Sequence, residues 1–181
     1  MGSAKGELRL GGRPIVSVLL GRLNWPGPTL LVTAPGREHP TGWESFDREV
    51  ADPSPGQGPV RGVLTALENA PSGIVVVAAV DMPLVSREQL EWVVGELRAR
   101  PEAVGVMPVQ RRGELTQVQP FPSAFRAEAA PLVRHLLAQN RRSLQGLLND
   151  LSVVAVNAPA EWGEAVWTNL NTPADLDALE G

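Results

Sequence analysis

The sequence of 181 residues contains no cysteine. Disulfide bonds, catalysis by a thiolate and metal sites with cysteine ligands are therefore excluded, while the redox compartment is left open. No apolar run approaches the roughly 18–20 residues that a membrane span requires. The start of the chain also lacks the basic-then-apolar pattern of a signal peptide. We therefore expect a cytoplasmic protein that does not act at a membrane.

Basic residues are too few to make the chain cationic, and the formal net charge is −4. A general nucleic-acid-binding protein is disfavoured, because it would need a basic face to neutralise phosphates. Of the 16 basic residues, only Lys5 is a lysine. An ammonium group is a compact charge on a flexible stem, so Lys5 is a candidate for a role that arginine cannot fill. Biased composition, chance and a remnant of a cloning vector are the alternatives.

The remaining composition, 43% hydrophobic and 20% charged, is typical of a globular protein, and the length suits a single domain over residues 1–181. Apolar runs alternate with helical patterns along the chain. This alternation predicts an α/β fold with a parallel sheet and an antiparallel excursion near residues 104–125. The predicted strands are 29–33, 74–80, 103–109, 115–118 and 153–156, and the predicted helices are 59–69, 86–97, 127–138, 143–150 and one after Pro173.

Two aspartates stand where ligands bind in such folds, at the carboxyl ends of strands. Asp81 follows the apolar run 74–80, and Asp52 begins a glycine-rich loop that leads into the helix starting at Pro59. Each has a structural alternative, a turn residue at Asp52 and a capping residue at Asp81. Two strand-end carboxylates without cysteine or histidine suit Mg²⁺ shared with substrate phosphates.

A third segment of interest is WTNLNTPADL, residues 167–176. Thr172 before Pro173 predicts the start of a helix on capping grounds alone. Asn169 and Asn171 alternate with Leu170, so their amides either face a ligand or cap the turn.

Taken in order, the segments GSAK, LGGRPI, DPSPGQGPVRG, VDMPL, QPFPSAFR and NLNTPADL resemble the molybdenum cofactor guanylyltransferases (MobA-type) of the nucleotidyltransferase superfamily. The resemblance covers nearly the whole chain. It implies a Rossmann-like three-layer fold with a mostly parallel sheet. It also implies a Mg²⁺-dependent enzyme that transfers GMP from GTP to the phosphate of molybdopterin and releases pyrophosphate.

The resemblance further implies roles for individual residues. Lys5 matches the phosphate-binding lysine, a catalytic and nucleotide-binding residue. Asp81 matches the catalytic ligand of Mg²⁺ and GTP, and Asn171 a second metal ligand. Asp52 matches a nucleotide contact, and Thr33 stands where an asparagine near the base is common.

Two departures from the family pattern affect the expected fold and function. The family's first strand and glycine-rich loop, VLAGGxSxR, have no counterpart here, and Ala4 replaces the aspartate that precedes the lysine. The expected fold therefore lacks that strand and loop. The alternatives to guanylyl transfer are cytidylyl or other nucleotidyl transfer to a phosphorylated small molecule, and a catalytically degenerate binding protein. The expected partners are GTP, molybdopterin and, by the resemblance, molybdoenzymes or their chaperones, with no nucleic acid.

Overall fold

Strands and helices alternate along the part of the chain that the computed structural model describes, residues 8–36, 38–70, 73–150, 152–170 and 175. The strands are β1 (Arg9–Leu10), β2 (Arg13–Pro14), β3 (Leu30–Thr33), β4 (Arg48–Ala51), β5 (Ile74–Val77), β6 (Gly105–Arg112), β7 (Leu115–Val118), β8 (Ser123–Arg126) and β9 (Val153–Asn157). The helices are α1 (Ile15–Leu23), α2 (Gly58–Asn69), α3 (Arg87–Arg98) and α4 (Ala130–Ala138). The α/β class predicted from the sequence is confirmed.

The largest sheet has five strands and is centred on β6. Strand β9 lies parallel to β6 along one side, while β8 and β7 lie antiparallel to it along the other. Strand β5 pairs with β8, also antiparallel. Strands β5, β6 and β9 therefore run in one direction, and β7 and β8 form the antiparallel excursion expected near residues 104–125.

Strands β3 and β4 form a separate parallel pair, in which Leu31 lies opposite Glu49 and Thr33 opposite Ala51. Within the described residues, no strand pairing joins this pair to the five-stranded sheet. All four residues of β5 are half-buried, although they belong to an uninterrupted apolar run. The expectation that a first family strand is missing stays a prediction.

Helices cover both faces of the large sheet, because each presents one apolar face to it. Helices α2 and α4 pack on one face, and α3 packs on the other. Val32 of β3 also approaches Gly62 of α2, so α2 contacts both sheets. The buried residues on the α2 side are Val60, Val63, Leu64, Leu67, Met107, Phe125, Val133 and Leu136, and those on the α3 side are Val93, Val94, Leu97, Val106 and Ala124.

A tryptophan cluster lies where β5 leads into α3. Trp162 and Trp167 are buried, with ring centroids 5.5 Å apart, and Trp92 meets Trp162 edge-on at 4.9 Å. Met82 belongs to the same cluster, and Trp25 packs against it. The turn that follows β5 therefore rests on a rigid aromatic base.

An ion-pair network links α2 to α4 through Glu68. The side chain of Glu68 accepts hydrogen bonds from Arg61 at 2.8 Å and from Arg134 at 3.0 Å. Partial burial alone would raise the pKa of this carboxyl, but the two guanidinium groups outweigh it and the net pKa is lowered.

Several predicted elements match the structure, including the helix at 59–69 and the strand at 115–118. At the start of α3, the backbone N–H and the hydroxyl of Ser86 both donate to Oε1 of Gln89, at 2.8 and 2.7 Å, as the spacing of these residues predicted. The last predicted helix lies outside the described residues apart from Asp175. Among the described residues, no helix is long and apolar enough to cross a membrane.

Other predictions about the elements are wrong. The strand predicted over 74–80 ends at Val77, and Ala78 and Ala79 pack near the tryptophan cluster without a strand partner among the described residues. The helix predicted over 143–150 is a 3₁₀ helix, Leu144–Asn149, that packs Leu144 and Leu147 into the core. Helix α1 and strands β4 and β8 were not predicted.

Gly105 lies at the start of the central strand β6 and offers a test of core packing. A Cβ atom there would lie 2.6 Å from Cδ1 of Phe125, whose side chain is fully buried. We expect Gly105→Ala to lower the free energy of unfolding by about 1–3 kcal/mol, the usual effect of overpacking. Chemical denaturation measures this value.

The matched control is Gly95→Ala in α3, where a Cβ atom would meet nothing within 4 Å. It should raise stability by up to about 1 kcal/mol, because alanine is the better helix former. A Gly105→Ala protein as stable as the wild type would contradict the packing described here.

Candidate functional site

The carboxyl ends of β3, β4 and β5 define the edge at which a ligand is expected. Strands β3 and β4 are parallel. Helix α2 follows β4 and precedes β5 along the chain, an order typical of parallel strands joined by a crossover helix. Thr33, Asp52 and Asp81 each lie at or just beyond the end of one of these strands.

The structure brings Thr33 and Asp52 together. The backbone N–H of Asp52 donates to the carbonyl oxygen of Thr33 at 2.8 Å. The hydroxyl of Thr33 donates to Oε1 of Glu49 at 2.9 Å. The two residues that the sequence singled out on β3 and β4 therefore belong to one hydrogen-bonded unit.

The carboxylate of Asp52 is poorly satisfied in this environment. Its Oδ1 atom is buried and has no hydrogen-bond partner among the described residues. A buried polar atom without a partner destabilises the folded protein. Such an atom at the edge where ligands bind is available to accept from a donor or to contact a cation.

Asp47, just before β4 begins, provides the opposite case. Its Oδ2 atom accepts hydrogen bonds from the backbone N–H and the hydroxyl of Thr29, both at 2.8 Å. These two bonds, the backbone one foremost, hold the pKa of the Asp47 carboxyl below its ordinary value. The carboxylate of Asp47 is thus used to fasten the strand pair, whereas that of Asp52 is not.

The loop between Asp52 and α2 positions backbone groups rather than side chains. Gly58 has a φ of 68°, a conformation that favours glycine, and a Cβ atom there would lie 3.2 Å from the carbonyl oxygen of Arg142. Pro59 follows in the first turn of α2. In the described structure no side chain caps this helix, and its first turn has no acidic residue. The N–H groups at its start are therefore suited to an anion.

Asp81 lies four residues beyond the end of β5, in a turn. The backbone N–H of Met82 donates to the carbonyl oxygen of Ala79 at 3.0 Å, which closes the turn. The carbonyl oxygen of Asp81 accepts from the backbone N–H of Leu170 at 2.8 Å. Leu170 is fully buried with Ile15 of α1, so the turn is held from both sides.

The carboxylates at this edge determine which kind of metal ion the site could hold. Among the described residues, no group of three or more His, Asp or Glu side chains could ligate an ion. Asp81 is half-buried in its turn, and Asp52 has a buried carboxylate oxygen without a partner. A few carboxylates at a strand edge fit Mg²⁺, which keeps several waters and is usually shared with substrate phosphates. These carboxylates are too few to hold an ion by protein ligands alone.

Two predicted site residues, Lys5 and Asn171, lie outside the described residues, so their roles stay predictions. Leu170, which precedes Asn171, is fully buried, and Asn169 is exposed.

Sequence reasoning did not assign a role to Glu49, although it contacts Thr33. Its sequence signal is weak, because Glu49 precedes only the short apolar pair Val50-Ala51 in a region of loop-like composition. Its side chain is only 11% exposed. A buried charge in a strand is costly unless it has polar partners. The partners of Glu49 become visible only once β3 is paired with β4.

Comparisons with known proteins show the family to which the chain belongs. Residues 1–156 match the model of the MobA-like NTP transferase domain family. The chain belongs to this family. A probable molybdenum cofactor guanylyltransferase of Deinococcus radiodurans is 30% identical over 187 residues, covering 99% of this chain and 87% of that protein.

Two solved structures share the fold of this family member. The molybdopterin-guanine dinucleotide biosynthesis protein A of Archaeoglobus fulgidus has a TM-score of 0.77 at 24% identity, covering 99% of this chain and 90% of that one. The 2-C-methyl-D-erythritol 4-phosphate cytidylyltransferase of Thermus thermophilus has a TM-score of 0.73 at 22% identity, covering 97% and 92%. The Rossmann-like nucleotidyltransferase fold is confirmed.

The two aspartates at the ends of β4 give a paired prediction for this family member. Asp47→Asn should lower the melting temperature, because it removes a carboxylate that accepts two hydrogen bonds from Thr29. Asp52→Asn should leave the melting temperature unchanged or raise it, because it removes a charge whose buried oxygen has no hydrogen-bond partner in the described part of the chain. Differential scanning calorimetry at pH 7 compares the variants.

The pH dependence follows from the lowered pKa of Asp47. A carboxyl with a lowered folded-state pKa stabilises the protein above its unfolded pKa of about 4, and this contribution is lost as the pH falls below that value. The difference between wild type and Asp47→Asn should therefore shrink at acidic pH. A loss of stability in Asp52→Asn as large as in Asp47→Asn would show that the Asp52 carboxylate is structural.

Proposed function

We propose that this protein transfers GMP from GTP to the phosphate of molybdopterin. An oxygen of the molybdopterin phosphate attacks the α-phosphorus of GTP and forms a new P–O–P bond. The bond from the α-phosphorus to the oxygen bridging to the β-phosphate breaks, and pyrophosphate leaves. Family membership over most of the chain supports this reaction class, and the hydrogen bond between Thr33 and Asp52 at the ends of β3 and β4 supports the assignment of the site.

A reaction of this type depends on positioning and charge neutralisation rather than on a covalent intermediate. In the proposed arrangement Asp81 holds Mg²⁺, with Asn171 as a second ligand. Bound Mg²⁺ supplies positive charge to the phosphates during transfer. The turn that carries Asp81 is fixed by Leu170 and by the tryptophan cluster, which keeps the carboxylate in place before the substrate arrives.

The nucleotide is proposed to lie along β3 and β4. Asp52, whose buried Oδ1 atom has no partner among the described residues, is proposed to accept from the nucleotide or from water around the metal. Thr33 is proposed to lie near the base, and Lys5 to neutralise phosphate charge. The start of α2 offers backbone N–H groups to the anionic substrate.

The experiment that tests the function is a transfer assay with purified protein, molybdopterin, Mg²⁺ and one nucleotide at a time. Formation of the guanine dinucleotide and release of pyrophosphate with GTP are expected. Product from CTP in place of GTP would support the cytidylyl alternative. Nucleotide binding without any product would support a degenerate binding protein.

Within the proposed site, one mutational prediction concerns the ligand of Mg²⁺. Asp81→Asn should reduce Mg²⁺-dependent transfer by about 100-fold or more. A neutral amide is a weaker metal ligand, so less Mg²⁺ would be bound to neutralise the charge of the phosphates. The melting temperature should change little, since Asp81 lies in a turn. Chelation of Mg²⁺ should abolish transfer by the wild type.

Asp150→Asn is the matched control, because Asp150 precedes β9 and therefore lies at the opposite end of the parallel strands. Its carboxylate accepts from the backbone N–H of Ser152 at 2.9 Å. This variant should keep wild-type activity. Full activity in a folded Asp81→Asn protein would refute the metal role.

The second prediction concerns Lys5. Lys5→Ala should weaken GTP binding by about 1.5–3 kcal/mol, the range for hydrogen bonds to charged groups. Lys5→Arg should restore only part of the affinity, because a planar guanidinium differs in shape from an ammonium. Isothermal titration calorimetry measures all three proteins, and equal affinities would remove Lys5 from the site.

A further inference from the structure

A carboxylate in the middle of a strand is unusual, and Glu49 of β4 is such a residue. Its Oε1 atom accepts from the hydroxyl of Thr33 at 2.9 Å, and its Oε2 atom lies 2.5 Å from Nδ1 of His39. The side chain is 11% exposed. It is therefore largely withdrawn from water and held in one orientation by two polar neighbours.

Glu49 lies on the face of the β3–β4 pair that is turned away from α2, where its register neighbour Leu31 is also buried. Residues of a strand alternate between its faces, so Glu49 and its register neighbours Leu31, Thr33 and Ala51 share one face. Val32 and Arg48 are on the other face, where Val32 approaches Gly62 of α2 and Arg48 donates to Asn69 of α2. The carboxylate of Glu49 thus lies beside Thr33, on the face of the strand pair that α2 does not cover.

Thr33 and His39 do not occupy all the hydrogen-bond acceptor positions of this carboxylate. An ionised carboxylate has about four acceptor positions, and the contacts with Thr33 and His39 involve one on each oxygen. A largely buried charge is costly unless its hydrogen-bonding needs are met. The remaining positions favour a ligand that brings donors.

An aromatic pair accompanies the carboxylate. The rings of His39 and Trp43 are stacked with centroids 4.4 Å apart and an angle of 23° between their planes. Because Nδ1 of His39 contacts Glu49, the stacked pair lies directly beside the carboxylate. Flat rings next to a fixed acceptor suit a planar heterocycle whose edge carries N–H groups.

We propose that Glu49 selects the base by accepting hydrogen bonds from the 2-amino-4-oxopyrimidine edge of guanine. In GTP this edge presents the ring N1–H and the exocyclic 2-amino group side by side, which matches the two oxygens of a carboxylate. Cytosine and adenine present a ring nitrogen acceptor at the corresponding position, which a carboxylate repels. The inference rests on the proposed function, and it makes Glu49 the specificity-determining residue of that site.

The first test compares the affinities of different nucleotides for the wild-type protein. Calorimetric titration of the wild-type protein with Mg·GTP and with Mg·ITP, which lacks only the 2-amino group, isolates one hydrogen bond to the carboxylate. ITP should bind about tenfold more weakly than GTP, the effect expected for one hydrogen bond to a charged group. CTP and ATP should bind more weakly still. Equal affinity for GTP and ITP would overturn the proposal without any mutation.

Glu49→Gln keeps the size of the side chain and an acceptor for Thr33 but replaces the second oxygen by a donor. It should lower GTP affinity by about 10- to 100-fold and bring GTP and ITP within about threefold of each other. Glu44→Gln is the control, because it removes an equal charge from the exposed side of the 3₁₀ helix Trp43–Ser45. Glu44→Gln should keep the wild-type preference, and loss of preference in both variants would assign the effect to net charge and overturn the proposal.

Molybdopterin carries the same amino-oxo edge on its pterin ring. Binding of the pterin and binding of the guanine base therefore have to be measured separately. Titration with 6-hydroxymethylpterin in the absence of nucleotide, and again in the presence of saturating GTP, distinguishes them. The proposal expects GTP to block any pterin binding that depends on Glu49. Pterin binding that is lost in Glu49→Gln but persists beside bound GTP would assign Glu49 to the acceptor and overturn the assignment to the base.

The failure of this inference can be told apart from failure of the proposed function. A protein that binds GTP and forms product while treating GTP and ITP alike retains its function but loses the role of Glu49. A protein that binds neither nucleotide contradicts both the function and the role of Glu49.

Discussion

Burial of the apolar face of α2 is the constraint on which the arrangement of the site depends. This helix packs on the five-stranded sheet and on α4, and it also contacts β3 of the separate strand pair. Thr33 and Asp52 belong to the pair, whereas Asp81 follows a strand of the large sheet. Because α2 contacts both β3 and β5, its packing contributes to the distance between these groups. Hydrophobic packing in the core thus has a direct consequence for the geometry of catalysis.

The fold class and most elements could be predicted from the sequence because they depend on local patterns. The apolar spacing of α2 and the Ser86–Gln89 pair of α3 are examples. Predictions were wrong where a partly buried apolar segment is not part of a strand or helix. The run 74–80 is apolar throughout, but within the described part of the chain only its first four residues are paired in the sheet. Ala78 and Ala79 are partly buried near the tryptophan cluster instead, and Val80 near Ile15.

The site was predicted less completely, for a related reason. Asp52 and Asp81 stand out as charges after apolar runs, so their positions at strand ends could be inferred. Glu49 does not stand out, because β4 is short and lies in a region rich in proline, glycine and charge. Its contact with Thr33 depends on the register of β3 with β4, and this register is set by contacts between residues distant in sequence. The tie between the turn of Asp81 and Leu170 is of the same long-range kind.

The positions of the five tryptophans give the protein an optical property. Trp25, Trp92, Trp162 and Trp167 surround the turn that carries Asp81, while Trp43 alone stands apart, stacked on His39 beside β4. The two groups therefore report on different ends of the proposed substrate, the phosphates and the base. Indole emission depends on local polarity and on neighbouring imidazole, so occupancy of each end would change the emission of a different group. Replacing Trp43 by phenylalanine would leave the phosphate end as the only source of signal, without any attached dye.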